Sequence, residues 1–335
     1  MNRKTRIGII GLGGIGQLVH LPTFSKLKEI EIAAVAELNK NRLNSLSDKF
    51  NIPNRFTDYR EMLANVELDA VVIATPTNTH LDIALDCLSY GRHLLIEKPV
   101  TRTFEESLKI KAAAEKNNCQ VMVGMNARFR PDSMLLKSLI SSGELEEIFY
   151  IRCGWSRNQS SAEKWFSKKS ESGGGVTLDL GIVLLDLSIW LFDYPPIKSI
   201  SVQNYHHRTQ GVEDSSVGLI KFQNSSVINF EFSWALHSIK DSFELTAYGT
   251  KGTAQLNPLR VYRREGSTII DYTPSSAANS KNLFRKSYEN EIKHFIASIR
   301  NEQEFLSPLK EAITRMQIIE GIYKSAESGN EIKFG

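Results

Sequence analysis

Ile7-Gly8-Ile9-Ile10-Gly11-Leu12-Gly13-Gly14-Ile15-Gly16 joins a short apolar run to a glycine-rich turn. The uncharged run reads as a strand buried on both faces, as in a parallel sheet. Gly11, Gly13 and Gly16 stand in the G-x-G-x-x-G spacing. There the first glycine permits a tight turn, the second lets backbone approach a pyrophosphate, and the third packs helix on strand. A helix is expected over 15–27, and its free N–H groups favour phosphate charge. Gly11, Gly13, Gly14, Ile15 and Gly16 are therefore candidate cofactor contacts. Glycines also mark plain turns, so the flanking strand and helix carry this reading.

The alternation continues downstream. A second strand, 30–36, ends at Glu37, about 20 residues past the last glycine, where dinucleotide sites place an acid on the ribose 2′-hydroxyl. A carboxylate there repels a 2′-phosphate, so NAD is expected over NADP, with Lys40 and Arg42 near enough to soften the preference. The plainer reading of Glu37 is the start of a loop. Helices are expected over 41–50 and 58–64, a buried strand over 70–73, and a further helix to 90. Thr75, Pro76 and Asn78 follow that strand and are assigned to the cofactor site, although Asn78 or Thr79 also suits a helix cap. His80 reads equally as a cofactor contact or as a surface residue of the helix's first turn.

His93-Leu94-Leu95-Ile96-Glu97-Lys98-Pro99 is the next buried strand, closed by an acid, a base and a proline. Open α/β sheets take their ligands beyond the carboxyl ends of the strands, so chemistry is expected at Glu97 and Lys98. A solvated charge pair in a loop is the plainer alternative. A helix over 104–117 with Thr103 as N-cap and a strand over 120–124 complete a doubly wound domain, placed at 1–125.

The remainder, 126–335, reads as an α+β domain. It holds a helix over 132–142, a mostly apolar helix over 175–192 containing Asp179 and Asp186, and two closing helices over 288–300 and 310–326. Strand-like runs occupy 147–157, 197–205, 215–222, 226–234 and 242–248, with shorter ones at 253–256 and 259–263. They suggest a large, mostly antiparallel sheet. The segment 275–282 reads as a mobile loop.

Composition sets limits on function. A chain of 335 residues is long for one core, so two domains are expected. Lys and Arg outnumber Asp and Glu only 41 to 38, and without a basic run nucleic acid is not an expected partner. Cys87, Cys119 and Cys153 lack metal-ligand spacing and fit a reducing compartment. No metal is expected. No apolar run is seen to approach the roughly 20 residues of a membrane span, and no targeting segment is read, so a soluble cytoplasmic protein is expected.

Taken together, Gly11 to Gly16, Ala74-Thr75-Pro76 with His80, and Glu97-Lys98-Pro99 resemble the Gfo/Idh/MocA oxidoreductase family. Gly173-Gly174-Gly175, Asp179-Leu180-Gly181, Tyr248-Gly249-Thr250-Lys251-Gly252 and the stretch Ile322 to Gly329 extend the likeness to nearly full length. The resemblance implies a nicotinamide-dependent oxidoreductase acting on a polyol, cyclitol or sugar. It also implies a homodimer or homotetramer formed through the open sheet. It gives Lys98 the proton transfer to or from the reacting oxygen, with Glu97 orienting it or touching the nicotinamide ribose. Pro99 would fix the turn, a cis peptide being one way to do so. Lysine titrates near about 10.4, and burial or neighbouring cations bring it into a working range.

The family's second motif places a His or Tyr four residues after an Asp. Here those positions are Asp179 and Val183. Residues four apart share a helix face, and an isopropyl group carries no proton. One reading keeps dehydrogenase chemistry with Lys98 alone or with Asp179. Another is a redox-neutral enzyme whose NAD oxidises and re-reduces the same sugar, and a third is a non-catalytic dinucleotide-binding sensor. Asp179 also reads as a satisfied structural acid. His206, His207 and His237 are alternative proton sources, though each suits an ordinary strand or loop position. Asn126 is assigned to the cofactor, Arg128, Trp155 and Val183 to the substrate, and Arg157, Lys168 and Lys169 to an anionic substituent.

Overall fold

The computed structural model describes residues 3–158, 164–236, 240–275 and 282–335. The loop expected at 275–282 and the candidate His237 lie wholly or mostly outside them. Two compact units emerge, one of Met1–Asn126 with Tyr288–Ile313, the other of Ala127–Ser287 with Thr314–Gly335.

The first unit is built on six strands, β1 (Thr5–Ile10), β2 (Ile30–Ala36), β3 (Asn54–Phe56), β4 (Ala70–Ile73), β5 (His93–Glu97) and β6 (Val121–Gly124), ordered β3-β2-β1-β4-β5-β6. All five pairings are parallel. The uncharged runs read from the sequence are the central strands, and every residue of β4 and β6 is buried. Strand order reverses between β1 and β4, where such sheets open a crevice at their carboxyl ends. The helix Phe104–Lys116 starts as expected, with the Thr103 hydroxyl accepting from the Glu106 N–H at 3.2 Å. Tyr288–Ile313 closes the β6 edge, where Val123 N–H donates to Ser307 O at 3.1 Å. Nearby, the Arg300 guanidinium donates to Thr5 Oγ1 at 2.8 Å.

Among the described residues the second unit carries nine strands: β7 (Ile148–Ser156), β8 (Ile197–Tyr205), β9 (Ser215–Phe222), β10 (Val227–Ser233), β11 (Ser242–Gly249), β12 (Gly252–Leu256), β13 (Arg260–Glu265), β14 (Thr268–Asp271) and β15 (Ile332–Lys333). Their order is β14-β13-β12-β11-β7-β10-β9-β8-β15. Only β7 and β10 pair in parallel. A helical run, Lys169–Leu191, is long and apolar enough by length and composition to cross a membrane, which corrects the expectation that no such run exists. Ninety-four per cent of its apolar window is buried, as in the core helix of a folded domain. Its wide first turn meets β10, where a Cβ on Gly181 would come 2.6 Å from the Phe232 ring.

Two buried polar clusters hold this helix. Where the helix resumes at Thr177, Glu213 Oε2 accepts from Gly175 N–H and Oε1 from Thr177 N–H, both at 3.0 Å, so a carboxylate satisfies donors that a helix start leaves free. Tyr323 Oη also donates to Oε1 at 2.9 Å. In the middle, Asp186 accepts from Arg128 Nε at 2.8 Å and pairs with Arg315 at 2.7 Å, all three side chains being essentially without solvent exposure. Removing one member of a buried ion pair leaves charge without compensation and costs about 3–5 kcal/mol. Asp186→Ala is expected to destabilise the protein by at least that much, since it strands two guanidinium groups. Urea unfolding of the variant checks this, and a loss below about 1 kcal/mol would contradict it.

Candidate active site

Gly11, Gly13 and Gly16 each meet a different demand. Gly11 adopts φ +92°, and a Cβ there would fall 2.6 Å from Ala74 O. A Cβ on Gly16 would fall 2.3 Å from Gly11 O, so the helix packs directly on the turn. Around Gly13 no atom of the described residues lies within 4 Å of a Cβ position, leaving the open approach a pyrophosphate needs. The helix expected over 15–27 is instead a wide π-helical turn, Gly16–His20, followed by one α-helical turn, Leu21–Phe24. Gly14 is exposed and Ile15 half-buried, both at the mouth of this turn.

Glu37 follows β2 and folds back on the glycine turn. Its Oε2 accepts from Leu12 N–H and its Oε1 from Asn39 N–H, each at 2.9 Å, and Arg42 reaches Oε2 at 3.4 Å. The carboxylate therefore stands beside the glycine turn, and Asn39 caps the next helix, Lys40–Lys49.

Beyond β4 the structure departs from expectation at His80. It is neither a surface residue nor a group open to a ligand, being 1% exposed. Its Nε2 lies 2.9 Å from Thr75 O and its Nδ1 3.0 Å from Pro99 O, so the buried ring sits between the loops after β4 and β5 and, while neutral, donates to one of the two carbonyls and packs against the other. We therefore correct its assignment from cofactor contact to a clamp between those loops. Thr79 occupies the N-cap position of the helix His80–Ser89 without capping it, its hydroxyl lying 2.7 Å from Thr75 Oγ1. Thr75 and Asn78 are half-buried and Pro76 exposed along the same loop.

β5 ends at Glu97, which is 8% exposed. The Lys98–Pro99 peptide is cis. Lys98 is half-buried and its N–H donates to Glu97 Oε2 at 3.3 Å. Glu97 Oε1 lies 2.8 Å from Nε2 of His20, a fully buried residue the sequence reading passed over. An imidazole among the buried apolar residues Val19, Leu21 and Phe24, on the helix that follows a phosphate loop, was the available signal. Asn126 is half-buried in the short turn that follows β6.

In the second unit Asp179 is 9% exposed and lies in another wide turn, Thr177–Gly181, ahead of the helix Ile182–Leu191. Such a turn bonds residue i to i+5, so Leu184 as well as Val183 follows on this side, and both are buried and apolar. Arg128 is corrected: its guanidinium is wholly buried on Asp186, out of reach of a substrate. Trp155 is half-buried between the Arg157 guanidinium, 4.9 Å from its ring centre, and the Phe243 ring at 4.9 Å. Exposed Lys168 pairs with Glu171 at 2.8 Å and Lys169 is exposed. His206 sets Nδ1 2.9 Å from Val212 O, and His207 stacks on Tyr205. The buried Glu213 cap was also missed, since nothing local marks an acid that reaches a distant helix.

A model described as "Oxidoreductase family, NAD-binding Rossmann fold" matches residues 5–125, and its "C-terminal alpha/beta domain" matches 137–334. The chain belongs to the Gfo/Idh/MocA oxidoreductase family. Residues 5–125, which hold the six-stranded sheet of the first unit, are the family's NAD-binding domain, and the chain is an oxidoreductase. Among relatives, D-glucoside 3-dehydrogenase of Escherichia coli (strain K12) is 24% identical, over 98% of this chain and 97% of that protein. The NAD(+)-dependent scyllo-inositol 2-dehydrogenase of Bacillus subtilis (strain 168) is 28% identical, over 90% and 88%. Levoglucosan dehydrogenase, solved with NADH, shares the fold at a TM-score of 0.90 and 20% identity, over 99% of this chain and 100% of that one.

Burial pushes the His80 imidazole below its ordinary value of 6.5, against the smaller opposite pull of the two carbonyls. Burial likewise lowers His93 and His294. Below 6.5 the unfolded chain therefore binds protons that the native one refuses. Stability is fully present above that value and lost as pH falls through it toward the depressed native values. We expect the urea midpoint to fall from about pH 8 to about pH 5.5, and to fall less in His80→Gln. A difference between the two proteins that is independent of pH would contradict this role for His80.

Proposed function

We propose that the chain is an NAD-dependent dehydrogenase interconverting a secondary alcohol and a ketone on a sugar, cyclitol or sugar derivative, with Lys98 as acid/base. The observation that carries this reading is Lys98 at the carboxyl end of β5, half-buried on a loop held from two sides. Glu97 accepts from the Lys98 N–H, and His80 clamps Pro99. Such restraint suits a proton-transferring group, whose contribution depends on its position relative to the reacting atom. NAD, when bound, accepts or returns the hydride.

The glycine turn suits that cofactor. Gly13 leaves space for the pyrophosphate, and Glu37, already anchored on Leu12 and Asn39, offers its carboxylate to the ribose hydroxyls. The same charge opposes a 2′-phosphate. Thr75, Pro76, Asn78, Glu97 and Asn126 complete the proposed cofactor contacts. Asp179 is the second charged group proposed from the family motif. The names of the relatives, a glucoside 3-dehydrogenase and an inositol 2-dehydrogenase, support a ring-borne secondary hydroxyl as the reacting group. A homodimer or homotetramer through the nine-stranded sheet belongs to this proposal. Phe149, Tyr205, Val217 and Tyr262 on its strands are exposed and apolar enough to serve.

A second reading is an enzyme that regenerates the cofactor on the same sugar, and a third, which Val183 supports because the family motif has a protic residue there, is a non-catalytic dinucleotide-binding sensor. Net nicotinamide absorbance change with a panel of sugars and cyclitols indicates the dehydrogenase, and sugar release without it indicates the cycling enzyme. Lys98→Ala is expected to lower kcat by roughly 10²- to 10⁴-fold, the range of general acid–base catalysis, while NADH affinity stays nearly unchanged. Undiminished turnover in that variant would sink the assignment. Glu37→Ala is expected to cost about tenfold to a hundredfold in preference for NAD over NADP, one charge-assisted hydrogen bond's worth. Competitive titration of the two cofactors measures it, and a wild-type preference for NADP would overturn it.

A further inference from the structure

His20 stands where the helix after the glycine turn meets the end of β5, apart from the groups assigned to cofactor or substrate. Its ring is fully buried. Phe24 stacks near it at 6.3 Å, and Tyr288 meets it edge-on at 6.4 Å. Nε2 lies 2.8 Å from Glu97 Oε1, whereas Nδ1 is buried without a hydrogen-bond partner among the described residues. An ionised carboxylate only accepts hydrogen bonds, and a neutral imidazole has one donor. With Nδ1 unpartnered, donation from Nε2 to the Glu97 carboxylate is the arrangement that satisfies both groups.

The carboxylate is confined on its other sides as well. Its second oxygen takes the Lys98 N–H at 3.3 Å. Gly124, paired with Glu97 across β5 and β6, flanks it closely, since a Cβ there would sit in van der Waals contact with Glu97 Oε2 at 3.4 Å. A short chain of contacts thus runs from the turn that begins at Gly16, through the His20 ring and the Glu97 carboxylate, to the backbone of Lys98.

We propose that His20 is a positioning residue, whose hydrogen bond to Glu97 sets the loop that carries Lys98 relative to the dinucleotide-binding turn. This rests on the acid/base reading of Lys98. A buried carboxylate that loses its donor must find another partner or take up a proton, and either change moves the loop. Misplacement of about 1 Å costs a reaction roughly a hundredfold.

The test compares two amides in the full-length protein. His20→Gln places its amide nitrogen close to the original Nε2 and keeps the donor, whereas the shorter His20→Asn cannot reach Glu97. We expect Gln to retain kcat within a few-fold and Asn to lose roughly 10- to 100-fold, with the NADH dissociation constant, read by fluorescence, changing by less than about threefold in both. Equal loss in the two variants would overturn the proposal, because packing alone would then explain the site. Nitrogen NMR of wild-type protein labelled in histidine gives a readout that needs neither substrate nor a folded variant. A proton on Nε2 of His20 is expected, and a proton on Nδ1 rejects it. Lys98→Ala, assayed alongside, keeps the two claims apart: activity surviving there removes the acid/base reading but leaves the nitrogen spectrum as it was.

Discussion

Parallel pairing of β1 with β4 brings together two loops that lie some sixty residues apart in the chain. Ile10 pairs with Ile73, so the glycine turn after one strand meets the Ala74–Thr75 loop after the other. The approach is close enough that a Cβ on Gly11 would strike Ala74 O. Pairing of β4 with β5 then adds Glu97 and Lys98 one strand further along. Because all these strands run the same way, their carboxyl ends form a common rim. Every candidate group of the first unit stands on that rim or is tied to it.

Buried polar side chains tie the rim together. His80 holds the loops after β4 and β5 from within, and His20 holds Glu97 from the neighbouring helix. These contacts are expensive to leave incomplete, because a polar group without a partner in a dry interior forfeits its hydration. The second unit uses the same principle at Asp186, between two guanidinium groups, and at Glu213, against the start of the long apolar helix. In each case the partner lies on a different element, so the interaction specifies how elements meet.

Much of this architecture is legible along the chain. The glycine spacing, the uncharged strands and the Thr103 cap announce local structure, and local structure depends on near neighbours. The strands at 54–56, 268–271 and 332–333 were not read, being short, polar or both, with too little periodicity to stand out. The wide turns at Gly16–His20 and Thr177–Gly181 look like plain helix in the sequence, since a one-residue change in hydrogen bonding leaves little mark on hydrophobic pattern.

The same division holds at the site. Sequence by itself determined the doubly wound domain, the family resemblance and the identities of Glu37, Glu97, Lys98 and Asp179 as groups to consider. These follow from spacing and residue chemistry, which survive without coordinates. Only the tertiary structure decided that His80 is a buried clamp, that Arg128 is spent on Asp186, and that His20 is the partner of Glu97. Each of those roles depends on a partner from 19 to 77 residues away. Whether a charged or polar side chain faces a ligand or a buried partner is set by what folding brings against it.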